Sequence, residues 1–179
     1  MVMRWHFFRR LQAVDVTTGH AQQPRIAVEV QERDFDIARL QDALLSGSAG
    51  EGAIATFTGY VRRGNENRAV DVLELEHYPG MTEASIEAIV VQAAARWPLL
   101  AASVVHRVGA LLPGDQIVWV GVASTHREAA FSACEFIMDY LKTRAPFWKK
   151  EHCGEGQHWV SARQSDRERA ARWQEDRAE

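Results

Sequence analysis

Apolar and polar positions along residues 26–30 (Ile-Ala-Val-Glu-Val) have the pattern of a short strand. After it, apolar residues recur at Phe35, Ile37, Leu40, Leu44 and Leu45, which predicts an amphipathic helix with Asp34 as its cap. Ser46-Gly-Ser-Ala-Gly50 ends that helix in a turn. Residues 52–61 read as a strand, and 70–78 as a half-buried one with Leu73 and Leu75 on one face. The polar loop 62–68 between them makes the pair a hairpin with a long basic tip. Pro79-Gly80 turns the chain into a helix over 82–97, with Ile86, Ile89, Val90, Ala93 and Trp97 on one side and Pro98 closing it. Residues 102–108 and 116–123 are two further strands joined through Pro113-Gly-Asp115. The second is continuously apolar, as in a central strand. Thr125-x-x-Glu128 fits a capping box and opens a helix that reaches Arg144, where Pro146 prevents continuation. A Gly154-Glu-Gly156 turn and a short strand near 158–162 follow. The charged stretch 165–179 around Trp173 reads either as a frayed helix or as disorder.

Hairpins alternate with helices in this order, which predicts an α+β fold with a largely antiparallel sheet. The chain divides into an N-terminal extension over 1–24, a core domain over 25–164 and a charged tail over 165–179.

The 179 residues are 46% hydrophobic and 25% charged, which excludes wholesale disorder and low-complexity architectures. Lys plus Arg is 21 and Asp plus Glu is 24, a net charge of −3, so the surface as a whole is no nucleic-acid footprint. Any anion must meet a local basic patch. No apolar run has the length of a membrane span, and the N-terminus lacks a signal-peptide core. With Cys134 and Cys153 read as free thiols, the expected compartment is the cytoplasm.

Several chemistries lack their motifs. There is no G-x-G-x-x-G after a strand, no P-loop, no H-E-x-x-H, no paired C-x-x-C and no G-x-S-x-G elbow. His152, Cys153 and His158 stand at irregular spacing, and no metal site is expected there.

Positive charge gathers in three places. Arg62, Arg63 and Arg68 sit on the expected hairpin tip, where a plain solvated loop is the alternative. His126 and Arg127 open the long helix; cations oppose the dipole there, which makes sense if an anion occupies that end. Lys142, Arg144, Lys149 and Lys150 form the third cluster. On the helical wheel Lys142 falls roughly 20° from Phe131 and roughly 40° from Met138, at the edge of the apolar stripe. That position predicts a partly desolvated lysine of lowered pKa, suited to acid–base or nucleophilic work, or else a snorkelling structural lysine. Phe57, Met138, Phe147 and Trp148 are candidate apolar pocket walls.

These residues carry a resemblance. Thr56-Phe-Thr-Gly-Tyr-Val-Arg62, Leu75-Glu-His-Tyr-Pro-Gly-Met81, His106-Arg-Val-Gly109, Pro113-Gly-Asp115, Ser124-Thr-His-Arg127 and Phe136-Ile-Met-Asp-Tyr-Leu-Lys-Thr-Arg-Ala-Pro-Phe-Trp-Lys149 occur in one order. Over residues 52–166 the chain resembles the large, catalytic subunit of molybdopterin synthase. The resemblance implies an α/β-hammerhead-type fold and a homodimer. It also implies a small ubiquitin-like sulfur carrier whose C-terminal Gly-Gly tail ends in a thiocarboxylate, making a heterotetramer with two carriers. The implied substrate is cyclic pyranopterin monophosphate, converted by two sulfur transfers to the molybdopterin dithiolene with no cofactor, metal, nucleic acid or membrane.

By the same resemblance Lys142 and Lys149 are the catalytic lysines. Tyr60, Val61, Arg62, His126, Arg127, Lys150, Glu151 and Arg163 are expected to bind substrate, and Phe57 and Met138 to wall the pocket. Each site is expected to combine residues from both copies of the dimer. The competing reading is a non-catalytic module that binds a phosphorylated ligand or a ubiquitin-like tail through the same patch.

Overall fold

The computed structural model describes residues 23–45, 50–65, 68–154, 156–161 and 163–175. The expected extension up to residue 22 and most of the 46–50 turn lie outside them. In chain order the elements are β1 (Arg25–Gln31), α1 (Ile37–Leu45), β2 (Ala53–Tyr60), β3 (Gly64–Asn65), β4 (Arg68–Ala69) and β5 (Val72–His77). Then come α2 (Met81–Arg96), β6 (Leu99–Arg107), β7 (Gly109–Leu111), β8 (Gln116–Ser124) and α3 (Arg127–Arg144). β9 (Phe147–Cys153), β10 (Gly156–Val160) and α4 (Gln164–Glu175) are the last of the described elements.

The strands form two four-stranded sheets, ordered β1-β6-β8-β2 and β10-β9-β5-β7, and the short β3-β4 ladder. Only β1 against β6 is parallel among the described pairs. The mixed helix and sheet composition agrees with the α+β reading.

The first sheet is covered on both faces, and strand alternation explains how. On β8, Val118, Val120 and Val122 face a core shared with Ile86, Val90, Phe136 and Ile137 of α2 and α3. Trp119 and Ala123 point the other way, against Phe35 and Leu44 at α1. A side chain at Gly121 would run into the Trp119 ring and Leu44, so glycine here lets α1 approach. A third small core of Val61, Leu73, Leu75 and Leu111 belongs to the second sheet.

Three local expectations change. The strands at 52–61 and 70–78 form no hairpin together: β2 pairs with β8, whereas β5 pairs with β7 and β9 in the other sheet. Only the short β3-β4 ladder of the tip survives between them. The cap of α1 is Asp36, whose Oδ1 accepts the N–H groups of Ala38 and Arg39 at 2.9 and 3.2 Å. Asp34 instead accepts from Gln116 Nε2 at 2.8 Å, tying the loop to β8.

The Thr125 capping box does not form either. His126 is itself extended, with φ −129° and ψ 143°, which is one residue longer than the box allows. The N-cap is therefore His126, with no side-chain cap hydrogen bond. At the other end of the chain, the described part of the charged stretch is a helix, α4, with Ala170 and Trp173 buried against α2 and α3.

Candidate active site

β9 decides which cations meet. Alternation along a strand sends successive side chains to opposite faces. Phe147, Lys149 and Glu151 therefore share one face, and Trp148, Lys150 and His152 the other. On the outer face Lys150 Nζ reaches Glu74 and Glu76, each at 3.3 Å, and lies 4.6 Å from the Trp159 ring centre. His152 Nε2 meets Glu74 at 2.8 Å. The hydrogen bonds from His152 and Lys150 hold the Glu74 carboxyl below its usual range. Lys150 and Trp148 thus part company with Lys149, although they adjoin it in sequence.

The inner face opens onto a broad groove between the two sheets, α3 and the start of α4. Arg62, Lys142, Lys149 and Arg163 line it, and Phe57, Met138 and Phe147 supply apolar walls. A smaller pocket beside it is lined by Tyr60, Val61, Arg62, Lys149 and Glu151, so Arg62 and Lys149 border both. Lys149 is the groove lysine whose proton affinity is lowered. Burial lowers its pKa, the charges of Arg62, Arg163 and Lys142 lower it further, and Glu151 works against them. Glu151 is buried, with Oε1 3.8 Å from Lys149 Nζ.

Lys142 differs from its helical-wheel expectation. Its side chain is 54% exposed, with Nζ 3.5 Å from Asp166 Oδ1. The wheel ranks faces of one helix, whereas the open groove beside α3 leaves the edge position in water. The next cation, Arg144, stacks its guanidinium 3.8 Å from the Tyr140 ring centre.

His126 and Arg127 stand apart from this cluster. Sixteen residues separate His126 from Lys142 on α3, which is about 24 Å along the helix axis at ~1.5 Å per residue. Both are exposed at the helix start, so one copy of the chain cannot bring them to Lys142.

The groove has members that the sequence patterns did not single out. His106 lines it, stacked on Phe147 with ring centres 3.9 Å apart. Burial pushes its imidazole down to about 4. Its Nδ1 lies 2.8 Å from the Arg107 carbonyl, and since a carbonyl only accepts, Nδ1 carries the proton. Asp166, in the first turn of α4, also lines the groove. A lone histidine in an apolar strand and an acid near a helix start look ordinary in sequence; only the packing brings them here.

Cys134 borders the groove as well, but burial pushes its thiol up to about 12, which keeps it protonated and a poor nucleophile. Among the described residues no three His, Cys, Asp or Glu side chains gather to hold a metal ion. No helix among them is long and apolar enough to cross a membrane.

The family model of the MoaE protein matches residues 30–144. A molybdopterin synthase catalytic subunit from Pseudomonas aeruginosa is 53% identical over 150 residues, which is 84% of this chain and 100% of that protein.

This chain belongs to the MoaE family of molybdopterin synthase catalytic subunits.

The solved MoaE protein of Burkholderia ambifaria is 48% identical over 83% of this chain and 98% of its own, with a TM-score of 0.72. A protein from Helicobacter pylori shares the fold at 20% identity, with a TM-score of 0.62 over 76% of this chain and 91% of its own. It was solved as a complex of subunits 1 and 2 of a molybdopterin-converting factor. Among MoaE residues, the segment matched by the family model includes Arg62, His126, Arg127 and Lys142, while Lys149, Glu151 and Arg163 lie beyond it.

Proposed function

We propose that this MoaE-family chain moves sulfur from the thiocarboxylated C-terminus of a small ubiquitin-like carrier onto cyclic pyranopterin monophosphate, building the dithiolene of molybdopterin. One observation carries the reading: Arg62, Lys142 and Arg163 surround a desolvated Lys149 in a groove with apolar walls. Such a groove suits an anionic tail and a phosphorylated heterocycle together. Guanidinium groups pair with phosphate through paired donors, and aromatic and thioether surfaces accept the ring. Burial, and after it the neighbouring cations, lowers the proton affinity of Lys149, which fits it to exchange a proton at the attacked carbon. Glu151 keeps it charged enough to hold an anion.

The assembly in this reading is a homodimer of the core over 25–164, flanked by two carriers, in the cytoplasm. The Helicobacter pylori protein, solved as a complex of two different subunits, supports association of the two chains. His126 and Arg127 of a second copy complete each site, since their own copy holds them away from Lys142. Lys150 serves the outer face of its sheet in this chain, and a substrate contact would require it to leave Glu74 and Glu76.

The test is a reconstitution with thiocarboxylated carrier and the cyclic precursor, read by dithiolene formation. Wild-type protein forms the product, whereas Lys142→Ala and Lys149→Ala stay folded and lose it. Binding of both substrates without turnover by wild type would instead identify a non-catalytic binding module.

A further inference from the structure

α4 is a polar helix with little reason of its own to dock. Ala170 and Trp173 are its buried apolar residues, yet it lies against α3 in one defined register. Charged contacts set that register. Glu135 meets Arg172 at 2.6 Å and Arg169 at 3.8 Å. One turn along α3, buried Asp139 accepts from the Trp173 indole at 2.8 Å and from Arg172 at 3.2 Å. One further turn along, Lys142 meets Asp166 at 3.5 Å. The last pair of this seam reverses the charges: acid on α3 gives way to lysine, and base on α4 to aspartate. Arg96 holds the far end by donating to the Trp173 carbonyl at 2.6 Å.

Asp166 sits at the delivery point of this seam. Its side chain is 18% exposed, well below Lys142, and Oδ2 accepts the Arg163 N–H at 3.4 Å. One carboxylate oxygen thus faces the start of its own helix while the other faces the lysine. An ion pair to a half-exposed lysine contributes little stability. What it can supply is direction: an otherwise mobile four-carbon side chain is held over the groove.

We propose that Asp166 is a positioning residue for Lys142, held in place by the docking of α4 on α3, and that it aims the ammonium group at the reacting atoms. The inference rests on the reading of Lys142 as a participant in sulfur transfer.

Two measurements test it. In steady-state dithiolene formation, Asp166→Asn lowers kcat on the order of tenfold, with KM for carrier and precursor nearly unchanged and thermal stability close to wild type. Asp166→Glu recovers part of the loss. An unchanged kcat, or a loss carried by KM alone, overturns the proposal. The second measurement needs neither substrate. The rate at which acetic anhydride acylates Lys142 in the free protein is followed by peptide mass spectrometry. Asp166→Asn raises that rate about threefold or more relative to a surface lysine standard, because the amine is no longer held against the carboxylate and meets the reagent freely. An equal rate in both proteins shows that Asp166 does not govern Lys142 and overturns the proposal independently of turnover. Wild-type protein that yields no dithiolene while the acylation rates differ would remove the functional reading and leave the Asp166–Lys142 coupling standing.

Discussion

The indole N–H of Trp173 donates to Asp139 at 2.8 Å, and both residues are buried. The same ring packs edge-on against Phe136 and Trp97, with centroids 5.6 and 5.7 Å away. A charged C-terminal stretch therefore inserts its one tryptophan into the main core, and the hydrogen bond satisfies a carboxylate that burial would otherwise penalise.

Removing the donor and removing the ring should separate these effects. Trp173→Phe keeps the aromatic packing and leaves Asp139 with a lost partner, costing about 1–3 kcal/mol. Trp173→Ala adds the cavity and costs about 3–5 kcal/mol. Urea denaturation of both variants measures the difference; a Trp173→Phe variant as stable as wild type would mean that the indole N–H contributes nothing.

Lys149 responds to its neighbours in opposite directions. Glu151→Gln removes the carboxylate that favours the ammonium form, so the Lys149 pKa falls further below the ordinary lysine range. Arg62→Ala removes a repelling charge and lets it rise. A titration of selectively labelled lysine by NMR reads both shifts, and shifts of the same sign in the two variants would contradict this electrostatic account.

His106 makes the fold sensitive to acid. Its folded pKa of about 4 lies below the ordinary histidine value of 6.5, so the native state favours the neutral ring. The associated stability is complete above pH 6.5 and is lost as pH falls from there toward 4, after which the loss levels off. The total is about 3 kcal/mol at 1.36 kcal/mol per pH unit. His106→Phe keeps a ring against Phe147 but cannot titrate, so its stability should vary less over this interval. Urea midpoints at several pH values check it.

The distance between His126 and Lys142 predicts complementation between copies. Lys142→Ala and His126→Ala are each inactive alone. Equal mixing with subunit exchange makes half the dimers mixed, and each mixed dimer carries one intact site. Activity should return to roughly a quarter of wild type. No recovery after verified exchange would place both residues' roles within one copy.

Much of the secondary structure was legible because helix and strand periods are local properties. The helix over 82–97 and the one ending at Arg144 are close to α2 and α3, and the apolar run at 116–123 is the interior strand β8. The candidate site was legible in part. Arg62, Lys142, Lys149 and Arg163 do line one groove, with Phe57 and Met138 beside them. Lys149 and Lys150 looked alike in sequence, yet one residue of strand period puts the first in the groove and the second among acids on the opposite face.

By itself, the sequence determined which segments become helices and strands, that the net charge is mildly negative, and that the cations come in clusters. It also carried the family resemblance, because long ordered runs of side chains are preserved in it. Tertiary structure decided which strands share a sheet, sending β2 and β5 to different ones where sequence order suggested a hairpin. It decided that Lys149 rather than Lys142 is desolvated, and that Asp166 and His106 reach the groove. The physical reason is the range of the interactions. Backbone periodicity acts over a few residues, whereas burial, ion pairing and pKa depend on groups that are distant in the chain and adjacent only after folding.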